Sequence, residues 1–250
     1  MRDVIGDLHA ATIRFPGHDG EEIEGYLASP LDPGSYGAVV VIHHLPGYDA
    51  GTKEIARRFA ANGYLALVPN LYSREALGAD PDDAAATVRA NGGVPDERLV
   101  GDVSAAVDHL RALPAANGKV ATIGYCSGGR QSFLAAISID LDAAVDCYGA
   151  YVVGTPPEGS PLRVTPLVDR AADLRCPLLG LFGAEDKYPS PEHTAVLERA
   201  LTEAGKDVEF HTYEGASHAF FSTHRPSYSV SAANDGWDRI WDFFGRHLAA

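Results

Sequence analysis

The apolar positions of this chain fall into short β-like runs separated by stretches of helical spacing. Residues 11–15 and 23–28 read as antiparallel strands around Pro16-Gly17-His18-Asp19-Gly20, a turn cluster suited to a hairpin, so an N-terminal β-hairpin is predicted within about 10–30. Residues 38–43 form a continuous β-branched run, as expected of a strand buried on both faces. A helix is predicted over 52–62, with Ile55, Phe59 and Ala60 on one face and Gly63 in the place of a C-cap. Residues 65–68 give the next strand, closed by Pro69. The polar stretch 73–95 reads as loop with weak helix.

Strands and helices then alternate. A helix is predicted over 96–113, with Leu99, Val103, Val107 and Leu110 in register, followed by a strand over 120–125 and a helix over 127–137. Further strands are predicted at 143–148, 177–182 and 208–213, and helices at 191–204 and 235–248. The last helix places Trp237, Ile240, Trp241 and Phe244 at helical spacing, a stripe for core packing. The Pro-rich segment 154–175 reads as an irregular connection over the site. This alternation implies an α/β protein with a mostly parallel sheet of about seven or eight strands, helices on both faces and functional groups at the carboxyl ends of the strands. All 250 residues are read as a single domain without a large cap.

The densest chemical signal is Gly124-Tyr125-Cys126-Ser127-Gly128-Gly129, directly after one predicted strand and directly before a helix. That layout is a nucleophile elbow, a strained turn that lifts one side chain above the sheet, here with a thiol at its tip. A thiol nucleophile needs a base, and the base an orienting acid. In elbow enzymes the acid and then the His follow the nucleophile along the chain. Glu185-Asp186 ends one later strand and His218 follows the next; Asp186 is the preferred acid, with Glu185 the alternative. The chain has ten histidines, and His218 is the one in the position this order requires. Oxyanion donors are expected from the amides of Ser127 and of Leu45, since Pro46 has no N–H. Ser127 itself is a weaker candidate nucleophile, because its side chain points away in the elbow register.

Composition narrows the rest. A net charge of −14 disfavours nucleic acid and anionic membranes as partners. No apolar stretch reaches the length of a membrane span and no leader-like apolar segment is seen, so a cytoplasmic protein is expected. The three cysteines lack metal or disulfide spacing, which suits a reducing compartment. Cys147 and Cys176 read as small buried apolar residues.

With these residues in place, the chain resembles the dienelactone hydrolase family of the α/β-hydrolase fold. The resemblance rests on Val39-Val40-Val41-Ile42, on residues 63–72, on the Cys126 elbow and on Gly215-Ala216-Ser217-His218-Ala219-Phe220. It implies a Cys126, Asp186, His218 triad, Leu45 and Ser127 as oxyanion-hole amides, no cofactor and no metal. It also implies hydrolysis of small esters or lactones through an acyl-thioester, including dienelactones formed in aromatic ring degradation, by a monomer or homodimer. Tyr72, Tyr148, Tyr188 and Phe220 lie at or near strand ends and are candidate pocket residues. Two departures stand out. Where the family carries a Glu that helps ionise the thiol, this chain has His44, an imidazole able to accept the thiol proton. Where an Arg would grip a substrate carboxylate, it has Ser222; Arg89, Arg74 and Arg225 are the nearest substitutes. The alternatives are a broad carboxylesterase or thioesterase, and a non-catalytic ligand-binding or redox-sensing protein of this fold.

Overall fold

The computed structural model describes residues 7–249, and eight strands form one sheet among them. Strands β1 (Leu8–Pro16) and β2 (Glu22–Pro30) make the antiparallel hairpin, turned by a short 3-10 segment at His18–Gly20. Then come β3 (Tyr36–Ile42), helix α1 (Ala50–Ala61), β4 (Leu65–Pro69), and helices α2 (Ser73–Ala76), α3 (Pro81–Ala90) and α4 (Asp96–Arg111). The second half adds β5 (Ala116–Tyr125), α5 (Ser127–Ala136), β6 (Ala143–Cys147), β7 (Leu178–Gly183), α6 (Pro191–Glu203), β8 (Val208–Tyr213) and α7 (Val230–His247). The strand order is β1-β2-β4-β3-β5-β6-β7-β8; β2 pairs antiparallel with β4, and all pairs from β4 to β8 are parallel.

The continuous apolar runs of β4 and β7 are covered on both sides and buried along their whole length, as is β6 with its one acid, Asp146. One face of the sheet packs against α1 and α7, where Phe59 meets Trp237, Trp241 and Phe244. The aromatic stripe of α7 is thus core, each buried side chain stabilising the fold by about 1.5–3 kcal/mol. The other face is covered by α3, α4, α5 and α6. The chain runs from β3 outward to β4 and then crosses to β5 on the other side of β3. That reversal opens a crevice at the carboxyl ends of β3 and β5, where a parallel sheet presents its functional groups.

The structure differs from the expected elements at several ends. The stretch 73–95, read as loop with weak helix, holds α2 and α3. The start of α3 was written locally: the Asp80 carboxylate accepts from the Asp82 N–H, and Pro81 occupies the first turn. Helix α7 begins at Val230, five positions ahead of the start read from its aromatic stripe, because the first turn lacks large apolar residues. Helix α1 begins two residues earlier than expected, with the Asp49 carboxylate accepting from the Thr52 N–H at 2.7 Å.

Candidate active site

Cys126 joins β5 to α5 with φ 58° and ψ −120°, a left-handed conformation for a residue with a side chain. Close packing dictates the glycines around it. A Cβ on Gly124 would lie 1.8 Å from the Gly128 carbonyl oxygen, and one on Gly128 would lie 2.3 Å from that of Ile42. Tyr148 and Tyr151, which follow β6, and Ala219, next to His218, also have positive φ; among the described non-glycine residues Asp19, in the hairpin turn, is the other. Each costs of the order of 1–3 kcal/mol, and strain of this kind gathers where side chains are held for chemistry. Cys126 is partly accessible, whereas Cys147 and Cys176 are buried. Burial pushes the Cys147 thiol well up and the Cys176 thiol up to about 12, so neither ionises readily.

His218 follows β8, bonds Asp186 and shares the lining of one cavity with Cys126. Its Nδ1 lies 2.8 Å from Asp186 Oδ2. The other Asp186 oxygen accepts from the Tyr188 N–H, also at 2.8 Å, which fixes the carboxylate's direction. The Asp186 side chain is 2% exposed and that of His218 35%, so the acid is enclosed while the imidazole reaches the cavity. Burial works to lower the His218 pKa, but the hydrogen bonds and charges of Asp186 and Cys126 outweigh it and bring it to about 10. Glu185, the alternative acid, is exposed and its amide bonds the Ala216 carbonyl.

The loop after β3 carries the second expected oxyanion donor. Among the described residues, neither the Leu45 nor the Ser127 amide has a protein acceptor. Tyr72 holds this loop: its hydroxyl donates to the Leu45 carbonyl at 2.9 Å, and its ring packs against Gly47, where a Cβ would fall 2.9 Å away. His43 braces it from below. Its Nε2 accepts from the Leu71 N–H and its Nδ1 donates to the His44 carbonyl. Burial lowers the His43 pKa to about 4, so this ring is neutral and has one tautomer.

A cavity of about 520 Å³ opens over Cys126, Ser127, Leu45 and His218. Tyr72 and Tyr188 line it, as do Val88 and Val94 beside α3 and Leu162 and Val164 from the irregular segment. The latter four were not singled out in the sequence; the N-terminal signal of α3 at Asp80-Pro81 was the available hint that this stretch is built rather than loose. Tyr148 is buried beneath His218, its ring edge-on at 5.2 Å. Phe220 is fully buried against Tyr148, Tyr213 and Phe221, in the core rather than on the cavity wall.

His44 turns to Asp49, with Nε2 2.8 Å from Oδ2, and lines a separate cavity of about 200 Å³ together with Ser222 and Tyr125. Of the substitute cations, Arg89 lines the main cavity. Arg74 is engaged elsewhere, by Glu21 and by the fully buried Asp102, which ties α4 to the hairpin. Arg225 lines neither cavity.

A family model described as the dienelactone hydrolase family matches residues 23–248. A Yersinia pestis protein named "Putative carboxymethylenebutenolidase" is 35% identical over 96% of this chain and 89% of its own length. A Methylorubrum extorquens protein of the same name is 34% identical over 97% of this chain and 83% of its own. Among solved structures, that of a "Putative Dienelactone Hydrolase" from Klebsiella pneumoniae superposes with a TM-score of 0.84 at 30% identity, covering 96% of this chain and 99% of that one.

Proposed function

The chain belongs to the dienelactone hydrolase family, and from that premise we propose that it hydrolyses small carboxylic esters or lactones through Cys126. The observation that carries the reading is His218, hydrogen-bonded to the enclosed Asp186 carboxylate and facing one cavity with Cys126. With its raised pKa the His218 imidazole holds the proton of the pair, and the Cys126 sulfur attacks the carbonyl carbon as a thiolate. The carbonyl electrons move onto oxygen, where the Leu45 and Ser127 amides face the developing charge. Collapse expels the alcohol oxygen, which receives the proton from His218 and leaves an acyl-thioester on Cys126. A water molecule then repeats the sequence, giving its proton to His218, and the thiolate is restored as the acid departs. Asp186 keeps the His218 ring oriented and favours the imidazolium between the two transfers.

Activation of the thiol is assigned to His218 alone, because the His44 imidazole is engaged by Asp49. A broad range of esters is favoured over one small carboxylated lactone, because Ser222 stands in the separate cavity while the main cavity is roomy at about 520 Å³ and carries Arg89 on its wall. The test is intact-protein mass spectrometry during turnover of a slow nitrophenyl ester. A mass increase equal to the acyl group, mapped to Cys126 and absent in Cys126→Ala, is expected. Unchanged turnover in Cys126→Ala would overturn the reading.

A further inference from the structure

The mechanism leaves unused a buried acid that, unlike Asp102, has no arginine against it. Asp146 lies in β6, paired across the sheet with Gly124 of β5, and is completely buried. Its carboxyl projects to the face covered by α5, into space that exists because two residues lack side chains. A Cβ on Gly129, in the first turn of α5, would fall 2.4 Å from Asp146 Oδ1, and so would one on Gly149. Oδ1 accepts from the Gly149 N–H at 2.7 Å, whereas Oδ2 has no partner among the described residues. The carboxyl is thus wedged under the first turn of the helix whose N-cap is Cys126.

Among the described residues no cation pairs with it. Arg130, on the same helix, directs its guanidinium at both oxygens of Asp96 and at the Thr165 carbonyl. The neighbouring groups on β6 and just after it, Cys147 and Tyr148, are buried and held protonated. From β7 the residue in register is Gly180, and from β5 Gly124, neither of which ionises. The titratable group that shares the helix terminus with Asp146 is therefore Cys126.

We propose that Asp146 is a positioning residue that sets the reactivity of Cys126 through the first turn of α5. An N-terminal turn favours negative charge, and here two acidic groups draw on one terminus. When the Asp146 carboxylate is charged it opposes the Cys126 thiolate and weakens the field on the Ser127 amide; when it is protonated, that terminus serves Cys126 alone. Burial supports a proton change in the working range, raising the Asp146 pKa to about 7 against the smaller opposing effect of the Gly149 hydrogen bond. The proposal rests on Cys126 being the nucleophile only for its consequence in turnover, since the effect on the thiol is read directly.

The test is the rate of Cys126 alkylation by iodoacetamide, read on the Cys126 peptide from about pH 5.5 to about pH 9, in wild type and Asp146→Asn. The two rates should coincide where Asp146 is protonated. Above about pH 8 the Asn variant should react at least about threefold faster. Coincident profiles across the range, in a variant that melts like wild type, would overturn the proposal. If Asp146→Asn does not fold, infrared titration of wild type decides: the band of a protonated buried carboxyl should disappear around pH 7 in step with a shoulder in the alkylation profile, and a profile without that shoulder would overturn it. Turnover surviving in Cys126→Ala would remove the nucleophile reading while leaving the alkylation comparison intact, so the two failures are distinguishable.

Discussion

Asp186 Oδ2 meets His218 Nδ1 at 2.8 Å, while Asp186 Oδ1 is held by the Tyr188 amide. The second bond keeps the first in line, so the imidazole presents its other nitrogen to Cys126. Asp186→Asn preserves shape but can donate into Nδ1, which stabilises the wrong tautomer. kcat/KM for a nitrophenyl ester should fall by about 10²- to 10⁴-fold, with a melting temperature near wild type. A loss below about threefold would assign the acid role elsewhere, to Glu185 first.

The same pair fixes a pH dependence. The His218 pKa stands near 10 because Asp186 and Cys126 outweigh burial. A folded pKa above the unfolded value means the native state holds the proton more tightly. The resulting stability is complete below about pH 6.5 and is lost as pH rises through about 10. In Cys126→Ala the thiol's part in raising the His218 pKa disappears, so an NMR titration of His218 should give a lower pKa than in wild type. The stability gained below neutral pH should shrink in parallel, as read by urea melts at acid and alkaline pH.

The elbow glycines make a steric prediction. Gly128→Ala places a Cβ 2.3 Å from the Ile42 carbonyl oxygen, a backbone atom that cannot move aside without shifting α5 from β3. A loss of about 2–4 kcal/mol is expected by denaturant melting. Gly51→Ala is the contrasting case. Gly51 lies in α1, outside the left-handed region, and the nearest atom to its Cβ would be 3.5 Å away. That substitution should stabilise by about 0.4–1 kcal/mol.

How much of this was legible follows from where the information sits. The strand-to-helix change at Cys126 and the chain order of Cys126, Asp186 and His218 are local patterns, and the structure brings these three side chains together. The β3, β4 and β7 strands were legible because burial on both faces demands an unbroken apolar run. The direction of a side chain was not. His44 and Leu45 are neighbours, yet one faces Asp49 and the other the main cavity. Phe220 looked like a wall because it lies near a strand end, but the positive φ of Ala219 turns it inward. Asp146 looked like one polar position in an alternating strand, and only the packing of Gly129 and Gly149 reveals what its carboxyl lies under.

Tyr72 is a test of how firmly the oxyanion loop is held. Its hydroxyl bonds the Leu45 carbonyl, on the peptide next to the expected donor amide, and its ring rests on Gly47. Tyr72→Phe keeps the ring and removes the bond. Stability should fall by about 0.5–1.5 kcal/mol. The kinetic effect should be in kcat, about threefold to tenfold, with KM nearly unchanged, because a loosened donor matters most where charge develops. An equal loss in KM alone would place Tyr72 in ground-state binding instead.

Asp49 separates two contributions to one short segment. One of its oxygens caps α1 by accepting the Thr52 N–H, and the other holds His44. Burial acts to raise its pKa, but His44 and Thr52 outweigh this and leave the carboxyl below the usual range. A depressed folded pKa gives stability that is present above about pH 4 and lost as pH falls through the folded value. Asp49→Asn retains a capping oxygen and loses the charge, whereas Asp49→Ala loses both. At pH 7 the Ala variant should be destabilised by about 1–2 kcal/mol and the Asn variant by less. The gap between wild type and Asn should close as the melts are carried to acid pH, while the gap between Asn and Ala should persist, because the cap does not titrate. An Asn gap that stays constant with pH would show that the His44 contact carries no charge-dependent stability.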